Sequence, residues 1–137
     1  FPEDDELAWV VAHEIAHNIL SHSKKMQLQA LLRAFLRARG KGQESLDTMP
    51  SRPSLESQAD YVGTYLMARA GYDLSAVKRV WAVLERIEDQ QGGRSSRLAQ
   101  THPPTKERRA SFEFTRQEIE SKRRRGQPLE VSVGPEP

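Results

Sequence analysis

Residues 12–17 read Ala12-His13-Glu14-Ile15-Ala16-His17, and the spacing of the two histidines decides what kind of fold must surround them. Positions four apart lie one turn apart on the same face of an α-helix, so both imidazoles reach one ion only if this stretch is helical. The flanks agree. Pro2 and the acids Glu3 to Glu6 suit a helix start, with negative charge at the positive end of the dipole. Leu7, Ala8, Val10, Val11 and Ile15 give one apolar stripe, and the pattern predicts a helix running to about Ser23.

H-E-x-x-H on a helix is a zinc pattern with a mechanical basis. Zinc sits about 2.0–2.1 Å from a ligating nitrogen. Glu14 lies beside the pair, where it can hold a water rather than the metal and take its proton once zinc brings the water's pKa to about 7. The competing reading is two surface histidines beside an ordinary Glu. Apolar Val10, Val11, Ile15 and Ala16 weigh against it, because they set this turn against a core, where unpaired histidines are costly.

A catalytic zinc needs a third ligand and an open fourth position. His22 follows His17 by five residues and points away from the pair on a continuous helix, so no chemistry is assigned to it. The extended pattern with a third His six residues after the second needs position 23, which is Ser23. Glu56, in Glu56-Ser57-Gln58-Ala59-Asp60, is the better candidate. It falls on a separate predicted helix, with Asp60 one turn later on the same face. Asp60 could accept a hydrogen bond from a ligating imidazole and fix its tautomer. Glu and Asp four apart also describe an ordinary solvated helix face, and the spacing alone leaves both readings open.

Outward from these residues the chain reads as mostly helical. Leu28, Leu31, Leu32, Phe35 and Leu36 form a second amphipathic helix that stops at Gly40-Lys41-Gly42, and residues 41–53 read as a mobile loop. Ser54 can cap the next helix and Gly71 end it. Asp73 or Ser75 caps another, with Val77, Val80, Trp81, Leu84 and Ile87 inward and Gly92-Gly93 at its end. Thr101-His102-Pro103-Pro104 is not helical, Thr105 restarts a helix that ends in Arg123 to Gly126, and Leu129 to Val133 is a short strand-like run.

Three blocks together carry a resemblance: HEIAH at 13–17, ESQAD at 56–60 followed by GTYLMARAGYD at 63–73, and THPPTKERR at 101–109. They resemble the HtpX and CAAX prenyl protease family of zinc metallopeptidases, and they occur in that family's order. The resemblance implies a gluzincin site. His13, His17 and Glu56 would bind one Zn2+ per chain, Glu14 would be the general base, and Asp60 would support a ligand from behind. His102 would lie near the metal, either as an oxyanion donor, whose N–H steadies developing negative charge, or as a fourth ligand. Arg108 would order that loop or the site. A surface loop histidine is the bland alternative for His102. In the family, sequence upstream of the zinc helix supplies a substrate-aligning strand, whereas here His13 is preceded by twelve residues. Zinc binding with poor cleavage is the expected consequence, and Phe1 in place of Met reads as a processed or cut chain.

Composition narrows the rest. Of 137 residues, none is Cys, which excludes disulfides, thiol nucleophiles and Cys-ligated zinc. No apolar run approaches the roughly 18 residues of a membrane span, and Phe1 follows no charged and apolar leader, so no signal peptide is expected in these residues. Residues 24–41 hold six Lys or Arg and no acid. An anionic membrane surface could therefore take residues 24–39, though packing of the apolar face on protein is the favoured reading. Arg123 to Arg125 read as a charged helix end rather than a nucleic-acid patch, since no recognition motif accompanies them. Tyr61, Tyr65 and Tyr72 read as packing residues.

The expectation is thus a mainly α, zincin-like (gluzincin) metallopeptidase core, truncated at the N-terminus, with little β structure. Residues 1–126 would form the catalytic core and 127–137 a tail. The expected function is a zinc metalloendopeptidase acting on polypeptides, in protein quality control at the cell envelope, periplasmic or membrane-associated, by family resemblance. Its rival is a non-catalytic, zinc-stabilised interaction or chaperone-like module, and a weaker one is an apo-protein with a purely structural helix.

Overall fold

A computed structural model describes residues 3–38, 40, 52–90 and 101–132. These form five helices: α1 (Asp4–Ile19), α2 (His22–Ala38), α3 (Arg52–Arg69), α4 (Ala76–Gln90) and α5 (Lys106–Arg124). There is no strand among the described residues, so the expected mainly α class holds. Residues 41–51, 91–100 and 133–137, with most of the expected loop and the Gly92-Gly93 stop, lie outside the description.

α1 has the acidic first turn read from sequence, Asp4, Asp5 and Glu6. Its orientation differs from the expected one. Glu6, Trp9, Ala12, His13 and Ala16 are buried, while Leu7, Val11 and Ile15 are about half exposed. Turning His13 inward brings in residues three, four and seven positions away and rotates the apolar stripe outward. That stripe, with Leu66, Ala70 and Tyr72, lines an open apolar groove of about 450 Å³. Buried Glu6 accepts from Arg79 Nε at 2.9 Å, which ties α1 to α4.

A second difference lies at the end of α1. The expected continuous helix to Ser23 breaks at Leu20-Ser21, and Ser21 has φ 55°. This left-handed residue redirects the chain, and α2 starts at His22. Among α2's apolar residues, Leu28 and Leu31 are well exposed and Phe35 about half so, so the face expected to pack on the core is not buried.

α3 begins at Arg52, two residues before the expected Ser54 cap, and ends at Arg69, with Gly71 just beyond it as the expected C-terminal glycine. Gly71 has φ 84°, and Tyr72 N donates to Met67 O at 3.2 Å, a Schellman closure that favours a residue without Cβ. Asp73 Oδ1 accepts from Ser75 N at 2.9 Å ahead of α4. Val77, Val80, Trp81 and Leu84 of α4 are buried as expected, and Ile87 is partly so. Trp81 stands edge-on to Trp9 at 5.9 Å and to Phe112 of α5 at 5.2 Å, joining three helices in one aromatic cluster.

The strand-like run is coil through Ser132. It lies against α3 and α5, with no strand among the described residues to pair with: Lys122 Nζ donates to Glu130 O at 2.6 Å and Ser132 N to Tyr61 Oη at 2.8 Å.

Candidate metal centre

Helix α1 presents His13 and His17 one turn apart, with their Nε2 atoms 3.0 Å from each other. Helix α3 crosses this turn at Gly63, where an added Cβ would lie 3.1 Å from His13 Cα. The close crossing brings the Glu56 carboxylate to the imidazoles: Oε2 is 3.3 Å from His13 Nε2 and Oε1 is 3.2 Å from His17 Nε2. His102, from the loop before α5, places Nδ1 2.9 Å from Glu56 Oε2 and 3.3 Å from His13 Nε2. One donor atom from each of His13, His17, Glu56 and His102 therefore lies within 4.8 Å of all the others.

This donor set fits zinc. Ligand atoms about 2.0–2.1 Å from a tetrahedral centre stand about 3.3 Å apart, close to the separations above. The set is also chemically apt, being three imidazoles and a carboxylate with no thiolate. Glu14 is not part of it. Its carboxylate is half exposed and lies 3.4 Å from His102 Nε2, on the solvent side of the cluster.

The surroundings fix these groups. Arg108 is buried and chelates Asp60, with Nε to Oδ2 at 2.6 Å and Nη2 to Oδ1 at 2.7 Å. The same guanidinium donates to Pro103 O at 2.9 Å and approaches Glu56 Oε2 at 3.4 Å, linking the His102 loop to α3. Thr105 caps α5 by accepting from Arg108 N at 3.2 Å, which sets the register that aims Arg108 inward. Asp60 Oδ1 is 2.9 Å from His13 Nδ1, an electrostatic contact out of line for a hydrogen bond.

Burial works against a charged His13, but the Asp60 and Glu56 carboxylates outweigh it and lift its pKa to about 9. Burial likewise opposes a charged Glu56, yet His102, His13 and His17 hold its carboxyl well below the usual range. A metal at these nitrogens would compete with the proton that the two carboxylates favour on His13.

Sequence reasoning missed His22 and Gln58. His22 is buried, with Nδ1 2.8 Å from His17 Nδ1 and Nε2 3.3 Å from Gln58 Oε1. Burial lowers its pKa, and the Gln58 hydrogen bond opposes this only in part. The available signal was Ser21, a residue type that starts helices; reading a stop and restart there would have turned His22 back toward His17.

Residues 39–114 match the model of peptidase family M48, more than half of the chain. The chain belongs to peptidase family M48. A metallopeptidase with a zincin-like core is what membership means for its fold and enzyme class. The matched stretch of this M48 chain contains Glu56, Asp60, His102 and Arg108 but stops short of His13, Glu14 and His17, which stand on their own motif and geometry. Three relatives carry the name mitochondrial metalloendopeptidase OMA1. That of Schizosaccharomyces pombe is 33% identical over 139 residues, covering 88% of this chain and 39% of that protein. That of Saccharomyces cerevisiae is 30% identical over 119 residues (77% and 34%), and that of Arabidopsis thaliana 29% over 123 (79% and 24%). The M48 chain thus spans two-fifths or less of their lengths. No solved structure matches it.

These relatives are mitochondrial by name, which overturns the expected periplasmic or membrane-associated location at a cell envelope. No helix among the described residues is long and apolar enough to cross a membrane.

Proposed function

We propose that this M48 chain is a zinc-dependent endopeptidase whose metal is held by His13, His17 and Glu56. The observation that carries the proposal is the convergence of those three side chains, from two helices far apart in sequence, at the mutual distances of a tetrahedral site. A zinc ion there would supply Lewis acidity, making water a nucleophile near neutral pH and polarising a carbonyl. Glu14, free of the ligand cluster and open to solvent, would take the proton from the attacking water and pass it to the departing amine. His102 has two roles in reach. Its Nδ1 lies among the ligand atoms, which supports a fourth-ligand role in the resting state. Its Nε2, on the Glu14 side, would donate to the developing oxyanion once the ring swings off the cluster.

Asp60 and Arg108 would hold the centre from behind, Arg108 by fixing both Asp60 and Pro103. Residues 1–126 would be the catalytic core, and the tail from 127 would brace α3 and α5 through Tyr61 and Lys122. Placement beside the HtpX and CAAX prenyl proteases, and unfolded or misassembled proteins as substrates, rest on the resemblance of the three sequence blocks.

One observation favours a second reading. Four protein donors around one point is the closed arrangement of structural zinc sites, where catalytic sites keep a corner open. A zinc-stabilised interaction or chaperone-like module would need nothing more. Glu14→Gln separates the two. The enzyme reading expects the parent to cleave casein and the variant to lose at least about 100-fold of that activity while keeping its zinc. Equal cleavage by both would remove Glu14 from the mechanism, and zinc binding without cleavage by either would favour the module.

A further inference from the structure

His17 and His13 are supported in different ways. Behind His13 stands a carboxylate, Asp60, itself held by Arg108. Behind His17 the described residues place an imidazole rather than a carboxylate: its Nδ1 is 2.8 Å from buried His22, whose other nitrogen is 3.3 Å from Gln58 Oε1. Proton bookkeeping along this line has one solution once Nε2 of His17 is committed to a cation. The lone pair must then face the cluster from Nε2, so the ring proton sits on Nδ1. That N–H points at His22 Nδ1, which must accept it. His22 therefore carries its own proton on Nε2 and donates to Gln58 Oε1, which can only accept. Every donor on the line meets an acceptor and no group is charged.

We propose that His22 is a positioning residue of the metal centre, passing the orientation of Gln58 through its ring to hold His17 in the Nδ1–H tautomer with Nε2 free for the metal. The inference rests on the zinc reading above and goes further in assigning His22 and Gln58. Two features of the chain are explained by it. Ser21 takes its left-handed turn directly before His22, and without that turn the ring would point away from His17. Gln58 lies between Glu56 and Asp60 on α3, so one helix supplies a ligand, the support for His13 and, through His22, the support for His17. The neutral relay adds no negative charge to the site, unlike Asp60.

Zinc affinity by chelator competition is the test, on the full chain and three variants. His22→Leu fills the space but accepts nothing. His22→Asn puts an acceptor oxygen near the place of Nδ1. Gln58→Leu removes the far end of the relay. The expected result is a loss of roughly 10–100-fold for His22→Leu, a smaller loss for Gln58→Leu, and recovery of most of the affinity in His22→Asn. In parallel, nitrogen NMR of the zinc-loaded parent should show His17 protonated at Nδ1 and His22 at Nε2; this reading stands even if His22→Leu does not fold. Parent-like affinity in His22→Leu, an equal loss in His22→Asn, or the opposite tautomers would overturn the relay and leave the zinc site standing. A parent that takes up no zinc would sink both.

Discussion

Glu118 shows how much a single side chain organises outside the candidate metal centre. Its Oε1 accepts from Tyr61 Oη at 3.0 Å, from the Tyr65 hydroxyl and from Ser132 Oγ at 3.2 Å, and Lys122 Nζ is 3.2 Å away. Partial burial disfavours the carboxylate, but Tyr65 and Lys122 more than offset it and hold the Glu118 pKa below its ordinary 4.5. A group depressed in the folded state contributes stability above its unfolded pKa and loses it as pH falls through the folded value. Glu118→Gln is therefore expected to lower Tm at pH 6 and to shrink the further drop in Tm between pH 5 and pH 3. Thermal melts across that range check it, and an unchanged acid-induced drop would count against the network. At this scale the sequence was readable where spacing alone sets side chains together, as for His13 and His17, whose ring nitrogens fall in one cluster. It was unreadable where a role comes from a neighbour: nothing local marks Glu118 as the partner of two tyrosines, and only Ser21 hints that His22 turns back toward His17.

Among the elements, the crossing of α1 and α3 matters most, and Gly63 sets it. A Cβ there would lie 3.1 Å from His13 N and Cα and 3.2 Å from Ala12 C, all backbone atoms that cannot swing aside. Gly63→Ala gains about 1 kcal/mol of helix propensity, but overpacking a tight contact costs typically about 1–3 kcal/mol, so net destabilisation is expected. The larger effect falls on the site, because parting the helices draws His13 and His17 away from Glu56. Urea unfolding and zinc titration of Gly63→Ala should both move, the titration more. A stabilised variant with parent-like zinc affinity would show that the crossing has slack. Helix periods were legible here, and α4 turned its expected face inward. For α1 the apolar stripe misled, since burial of Trp9 and of the histidine face outweighed it. The Leu20-Ser21 break was hidden because helical periodicity continues on both sides of it.

At the scale of the whole molecule, the mainly α class and the three separated blocks were legible from sequence, and the fold brings all three to one point. What covers the outward stripe of α1 and the exposed face of α2 was not legible, because amphipathicity states that a face will be covered without naming the cover. The expected location failed for a related reason. It came from resemblance to a broad family whose members do not share one compartment, and the relatives this chain matches are mitochondrial by name.

Elemental analysis of the purified chain beside Glu56→Gln tests the centre most directly. One zinc per parent chain, with occupancy well below that in Glu56→Gln, is the expected result, since a neutral amide replaces the anionic corner of the tetrahedron. No zinc in the parent, or the same content in both proteins, would contradict it.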